Sequence, residues 1–322
     1  MNTMNFSQLT SAIEPVDLRS CLISRDGHMV YEYYRNQQIA NQTAKVNSCT
    51  KSILSALICI AMDKGILPEA DTLITQFFPQ LLNDPDARKR EITIEHLLTM
   101  TSGFSWTEFG GQKSFPRMTR SSHWVDFVLE QPLAEAPGTR MEYSSGDSQL
   151  LSAILVQASG KTTARFAEEE LFGPLGIDDY TWEADPQGIH TGGYGMRMRP
   201  SDMLKFGQLY LQEGRWEQQQ LISPERVHRS VQPAIPANPP NFGFYAWHWW
   251  THTYREDNAM QQLDSSTTPA IHYYYARGYG GQFIYIIPSL KIVVVTTDDK
   301  RKKERHPANV FLDFIAPMLL KA

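Results

Sequence analysis

In the 322-residue chain one serine has a lysine three positions after it: Ser48, in Ser48-Cys49-Thr50-Lys51. If this stretch is helical, positions i and i+3 share a face and the Lys51 amine reaches the Ser48 hydroxyl. The run that follows, Ile53 to Met62, is apolar on nearly every side before Lys64-Gly65 closes it, the pattern of a buried helix. Asn47 or Ser48 would cap its start, where backbone N–H groups favour developing negative charge. A serine nucleophile needs a base, and a lysine of ordinary pKa is neutral in only about one molecule in 2,500 at pH 7. Lys51 can serve only if burial lowers its pKa, an effect that reaches about 3 to 5 units for fully buried groups. The competing reading is structural: a serine cap followed by a salt-bridged first-turn lysine.

Two further groups could complete such a site. Tyr143, in Tyr143-Ser144-Ser145, stands just before a helical pattern, and its phenol could relay a proton between Ser48, Lys51 and a leaving group. The plainer alternative is a buried tyrosine bonded to a backbone carbonyl. Gly278-Tyr279-Gly280-Gly281-Gln282 opens a strongly β stretch, and glycines inside a strand allow close approach of a ligand or a second backbone. A backbone N–H near Gln282, with that of Ser48, would then form an oxyanion hole; a β-bulge is the structural alternative. Cys49 lies about 100° around the helix from Ser48, which makes it a small buried filler and not a nucleophile.

The elements that must position these groups are legible around them. Cys21 to Tyr34 reads as a hairpin turning at Arg25-Asp26-Gly27. From about 68 to 230 the apolar spacing is helical, punctuated by Pro79, Gly103, Pro137-Gly138, Gly160, Gly176 and the cluster Gly192, Gly193, Gly195. From Phe242 onward the texture is strand-like, with a last helix in Asn309 to Leu320. These patterns predict a mixed α/β (α+β) fold: a sheet lobe from residues 1–67 and 231–322, an inserted helical lobe from 68–230, and a cleft where they meet.

Taken in order, Ser48xxLys51, Tyr143xSer145 and Tyr279-Gly280-Gly281 resemble the three motifs of the serine β-lactamase and penicillin-binding protein superfamily. The stretches ITIEHLLTMTSGF, APGTRMEYSSGDSQLLSAIL and GGYGMRMRPSDMLKFGQLYL look like segments of class C β-lactamase-related hydrolases and esterases. The resemblance covers roughly residues 20 to 320. It implies a β-lactamase/transpeptidase-like fold with an antiparallel sheet flanked by helices. It also implies that Ser48 is acylated, Lys51 activates it, Tyr143 moves the leaving-group proton, and Ser145, Tyr279, Gly280, Gly281 and Gln282 line the oxyanion and substrate site. Ser145 occupies a place often held by asparagine, and the third motif lacks the Lys-Thr-Gly of typical β-lactamases and D,D-peptidases. Without that cation the substrate expected is a small ester or amide, as for the 6-aminohexanoate-dimer hydrolases of the superfamily. β-Lactamase, D,D-peptidase and a non-catalytic sensor are the alternatives. Arg277 is the remaining candidate for a carboxylate anchor, against a surface-facing reading.

Other classes find little support. Net charge is −5 and basic residues cluster only at Lys300 to Arg305, so nucleic acid is not an expected partner. His248 and His252 lie in an aromatic, strand-like run without HExxH, so no metal is expected, and no dinucleotide or phosphate motif implies a cofactor. Tyr245, Trp247, Trp249, Trp250 and Tyr273 to Tyr275 could wall an acyl pocket or fill a sheet core. No stretch has the apolar length of a membrane span, and the start shows no signal-peptide pattern. Three cysteines, Cys21, Cys49 and Cys59, in apolar surroundings fit a reducing cytoplasm better than a disulfide framework. Nothing in the sequence specifies an oligomeric state.

Overall fold

The structure, a computed structural model, describes residues 6–255, 269–300 and 309–321. Eight strands form one sheet. The hairpin β1 (Ser20–Arg25) and β2 (His28–Tyr34) comes from the start of the chain. From the end come β8 (Ile235–Pro236), β9 (Phe244–Tyr245), β10 (Trp250–Arg255), β11 (Ala270–Gly278), β12 (Gln282–Ile287) and β13 (Ile292–Thr297). Their order is β2-β1-β13-β12-β11-β10-β9-β8, and every neighbouring pair is antiparallel. The two ends of the chain therefore meet where β1 lies beside β13, pairing Ser20 with Thr297 and Arg25 with Ile292.

Side-chain alternation divides the two faces. Cys21, Ile23, Tyr285, Ile287 and Val294 point to one side and pack with the terminal helical segments, Phe6–Ile13 and Phe311–Leu320. Leu22, Ile284, Ile286, Val293 and Val295 point to the other side, into the main core. Because both faces are covered, β13 is buried along its whole length, which explains the continuous Ile292-Val293-Val294-Val295 run. At Gly207, in the helix Pro200–Leu211, an added Cβ would come within 2.5 Å of Val293 Cγ1, so this helix lies directly on the sheet. It falls within the stretch expected to form the inserted helical lobe.

The Cys49–Asp63 helix is buried from Cys49 through Met62, as its all-round apolar pattern requires. It packs against the helix Ser145–Ser159, which is capped by Ser144 Oγ accepting from Asp147 N at 3.1 Å and ended by Gly160 in the left-handed conformation. Short strands also occur outside the main sheet, most of them in the predominantly helical middle of the chain. β3 (Ala44–Lys45), β4 (Thr181–Trp182) and β5 (Met196–Met198) make a three-stranded sheet, and β6 (Arg215–Trp216) pairs with β7 (Gln219–Gln220). The first of these ties the approach to Ser48 to the 191–196 loop, since Val46 N donates to Met196 O at 3.0 Å. The mixed fold with an antiparallel sheet flanked by helices is the one expected from the sequence.

Among the described residues no helix is long and apolar enough to cross a membrane, and no group of three or more His, Cys, Asp or Glu side chains is placed to hold a metal ion. Cys21, Cys49 and Cys59 are buried and unpaired. The basic run from Lys300 to Arg305 lies outside the described residues except for Lys300, which pairs with Asp17 at 2.7 Å.

Candidate active site

Ser48 begins the Cys49–Asp63 helix without using its side chain as a cap, so its hydroxyl is left for other partners. The residue before it, Asn47, sits in the left-handed region at φ 49°, a conformation asparagine tolerates better than most residues. One turn into the helix, the Lys51 amine donates to Gly193 O at 2.8 Å, to Ser145 Oγ at 3.0 Å and to Ser48 Oγ at 3.4 Å. It also stands 4.8 Å from the centre of the Tyr143 ring. The salt-bridged alternative for Lys51 is not realised: among the described residues no carboxylate lies within ion-pairing distance of its amine. Burial lowers the Lys51 pKa to about 8, against the smaller opposing influence of Glu108, Cys49 and Asp147.

Tyr143 reaches the same point from the loop before the Ser145–Ser159 helix, which brings its ring beside the Lys51 amine. Its ring stacks on Trp250 with centroids 5.9 Å apart and meets Tyr245 edge-on at 6.3 Å. Burial, reinforced by the Glu108 charge, holds its phenol above the ordinary range, and the nearby Ser48 hydroxyl opposes this. Of the aromatic run considered as an acyl-pocket wall, Trp250 borders Tyr143. Trp247 and Trp249 are fully buried core side chains, with Trp249 stacked on Phe206.

The third motif departs from its expected setting. Gly280 and Gly281 do not lie inside a strand; with Tyr279 they form the tight loop joining β11 to β12, at φ 94° and φ 89°. A glycine is required at Gly281 both by that φ and by Asp298 Cβ, 2.9 Å from where its own Cβ would stand. The close backbone approach instead occurs at Gly278, where an added Cβ would be 2.2 Å from Val46 O. Asn47 Nδ2 donates to Tyr279 O at 2.5 Å, so the Gly278–Tyr279 backbone is what abuts the Ser48 loop. Gln282 is buried at the start of β12, with its side-chain amide donating to Gly280 O and Asp298 O. Arg277 is exposed over the Trp250 ring and donates to Asn241 Oδ1 at 2.8 Å.

Several participants carry no motif. Glu108, 9% exposed, accepts from Trp106 Nε1 at 2.8 Å and from Ser145 N at 2.9 Å on Oε2, and from the Ser145 hydroxyl on Oε1. Gly193 leaves room for this cluster, since a Cβ there would lie 2.9 Å from Lys51 Nζ and 2.7 Å from Ser145 Oγ. Behind it, Asp147 is buried with Oδ1 accepting from Ser102 Oγ at 2.8 Å, and burial raises its pKa to about 8. His248 shares hydrogen bonds with Leu98 O through Nδ1 and with Ser148 Oγ through Nε2. A carbonyl only accepts, so Nδ1 carries the proton and Nε2 accepts from Ser148. Cys49 Sγ points to Gln282 O at 3.5 Å, and burial holds its thiol protonated.

An eight-stranded antiparallel sheet between helical layers, with a serine and a buried lysine on the first turn of the central helix, defines the β-lactamase/transpeptidase-like class of folds. The sequence matches the beta-lactamase family over residues 20–314. The chain belongs to the beta-lactamase family of hydrolases. It is 27% identical over 192 residues to the D-alanyl-D-alanine-carboxypeptidase/endopeptidase AmpH of Escherichia coli K12, covering 53% of this chain and 49% of that protein. It is 27% identical over 180 residues to esterase EstB of Burkholderia gladioli, covering 49% and 45%. The aligned region thus spans about half the length of these curated relatives. Among solved structures, the octameric penicillin-binding protein homologue from Pyrococcus abyssi superposes with a TM-score of 0.73 at 18% identity, covering 98% of this chain and 78% of that one. At that identity the likeness concerns the fold.

Proposed function

We propose that the chain is a serine hydrolase that cleaves small esters or amides through an acyl-enzyme. The observation that carries this reading is the buried Lys51 amine, lowered to about pKa 8 and held within 3.4 Å of the Ser48 hydroxyl. At that pKa about one molecule in eleven has a neutral Lys51 at pH 7, against about one in 2,500 for an unperturbed lysine. Neutral Lys51 takes the Ser48 proton, and Ser48 Oγ attacks the substrate carbonyl. Developing negative charge on the carbonyl oxygen is met by the Ser48 backbone N–H at the helix start, with a backbone N–H near Gln282 as the second donor. Tyr143, whose ring lies beside the Lys51 amine, passes a proton to the leaving group and later takes one from the water that releases the acyl group.

The substrate class follows from the cleft wall. The third motif brings no lysine, and Arg277 is engaged with Asn241 and Trp250. Tyr143, partly buried and backed by the buried Trp250, gives this part of the site an aromatic lining, which suits an uncharged acyl or alcohol group better than a carboxylate-bearing β-lactam or peptide. The three unpaired cysteines support a reducing, cytoplasmic setting for this activity. The test is release of nitrophenolate from a short-chain p-nitrophenyl ester by the parent and by Ser48→Ala. Turnover by the parent alone supports the reading. One equivalent released without turnover points to an acylated sensor, and equal rates in both proteins exclude Ser48 as nucleophile.

A further inference from the structure

We propose that Glu108 is a positioning residue which, acting through the Ser145 hydroxyl, directs the lone pair of neutral Lys51 at the Ser48 proton. The inference rests on the acyl-enzyme reading above and adds to it a fixed polarity for the hydrogen bonds behind the lysine.

A neutral lysine amine has two N–H groups and one lone pair, and it is useful as a base only if the lone pair faces the nucleophile. Three oxygens surround Lys51 Nζ: Gly193 O at 2.8 Å, Ser145 Oγ at 3.0 Å and Ser48 Oγ at 3.4 Å. Gly193 O has no proton and takes one N–H. Ser145 is ambiguous by itself, because a hydroxyl could donate to the amine and consume its lone pair. Glu108 removes the ambiguity: its Oε1 accepts the Ser145 hydroxyl proton, so Ser145 offers Lys51 only an acceptor. Both N–H groups are then occupied and the lone pair is left for Ser48. On attack the Ser48 proton moves to Lys51, which becomes an ammonium with three donors for the same three oxygens, so no partner has to turn.

Glu108 is itself oriented. Its Oε2 accepts from Trp106 Nε1 at 2.8 Å and Ser145 N at 2.9 Å, both obligate donors. This makes Glu108→Gln informative. The two donors require the amide oxygen at the Oε2 position, which places the amide NH2 against Ser145 Oγ. The Ser145 hydroxyl can no longer donate there and turns toward Lys51, capturing the lone pair. The substitution also removes a negative charge near the amine. The titratable groups facing Lys51 are Glu108, Asp147, Cys49, Tyr143 and His248; of these Glu108 is the leading influence that raises its pKa, so its loss lowers that pKa further.

The experiment is the pH dependence of kcat/KM on p-nitrophenyl acetate, from pH 5.5 to 10, for the parent, Ser48→Ala, Glu108→Gln, Ser145→Ala, Ser145→Thr and the Glu108→Gln/Ser145→Ala double variant. For Glu108→Gln the plateau rate is expected to fall about 10- to 100-fold, with the fall in kcat and not in KM. The midpoint of its acid limb is expected to move below that of the parent. In the Ser145→Ala background the same change is expected to cost less than threefold, because there is no hydroxyl to turn. A plateau within twofold of the parent, an unmoved or raised midpoint, or multiplicative effects of the two substitutions would overturn the proposal. Should Glu108→Gln not fold, as judged by its thermal transition, the serine variants decide: Ser145→Thr must recover most of the rate lost in Ser145→Ala, and failure to do so counts against the relay. Turnover retained in Ser48→Ala would instead overturn the underlying acyl-enzyme reading. Loss of turnover there with parental rates in Glu108→Gln overturns the Glu108 role alone.

Discussion

Raising the pH from 6 to 10 perturbs one group before any other in the proposed reaction: it strips the proton from Lys51. Burial is the dominant cause of the shift and places the midpoint at about 8, below the ordinary lysine value of 10.5. The reactive form is the unprotonated one, so acylation rises with pH up to the folded-state pKa and levels off above it. With a midpoint near 8 the neutral fraction is about 1% at pH 6, about 9% at pH 7 and about 90% at pH 9. The expected kcat/KM therefore rises about ninefold from pH 6 to 7 and about tenfold from pH 7 to 9, then flattens. An unperturbed lysine would instead give a rise of about 100-fold between pH 7 and 9, with no plateau below pH 10. The assay is kcat/KM for a p-nitrophenyl ester at closely spaced pH values, corrected with Ser48→Ala for spontaneous hydrolysis. A line of unit slope continuing past pH 9.5 would show that burial does not tune this lysine. A flat profile between pH 6 and 9 would show that no group of this kind limits the step, and the base assignment would fall.

Three substitutions test the surrounding geometry. Lys51→Arg keeps the positive charge in a group that stays protonated at all working pH values, so kcat should fall about 1,000-fold while the protein still folds, measured by ester turnover and thermal denaturation. Tyr143→Phe keeps the stacking on Trp250 and removes only the hydroxyl near Ser48; kcat should fall about 100-fold or more, with stability within about 1 kcal/mol of the parent by urea titration. Gly278→Ala drives a methyl group into Val46 O, 2.2 Å away, and should cost about 1–3 kcal/mol of stability together with much of the ester hydrolysis, since it pushes β11 from the Ser48 loop. A stable and fully active Gly278→Ala would mean that this close approach is not needed.

What the sequence discloses here is what local spacing can encode. The Ser48–Lys51 pairing depends on one turn of helix, and the all-round apolar run from Ile53 to Met62 is enough to bury that helix. Strand alternation in β1 and β12, and the unbroken valines of β13, mark a sheet covered on both faces. The third motif is the instructive misplacement. Gly280-Gly281 reads as strand interior open to close approach, whereas the chain uses these glycines to turn between β11 and β12. The residue with no room for a side chain is Gly278, two positions earlier, because Val46 lies against it. No pattern within the motif distinguishes a glycine needed for its φ from one needed for its missing Cβ.

The environment of Lys51 is less legible for a related reason. Its pKa and its hydrogen bonds are set by Ser145, Gly193 and Glu108, which come from three separate stretches and have no fixed spacing to it or to one another. Gly193 reads in the sequence only as a break between elements, and Glu108 as an ordinary carboxylate in a loop after Gly103. Their placement depends on tertiary ties: β3 pairs with β5 and draws the 191–196 loop to the Ser48 approach, while Trp106 Nε1 holds Glu108 against the start of the Ser145–Ser159 helix. A lysine three residues after a serine is common enough to mean little. What makes this one a candidate base is that distant segments bury it while leaving its charge without an ion pair among the described residues, which is why the chemistry is carried by the fold as much as by the motif.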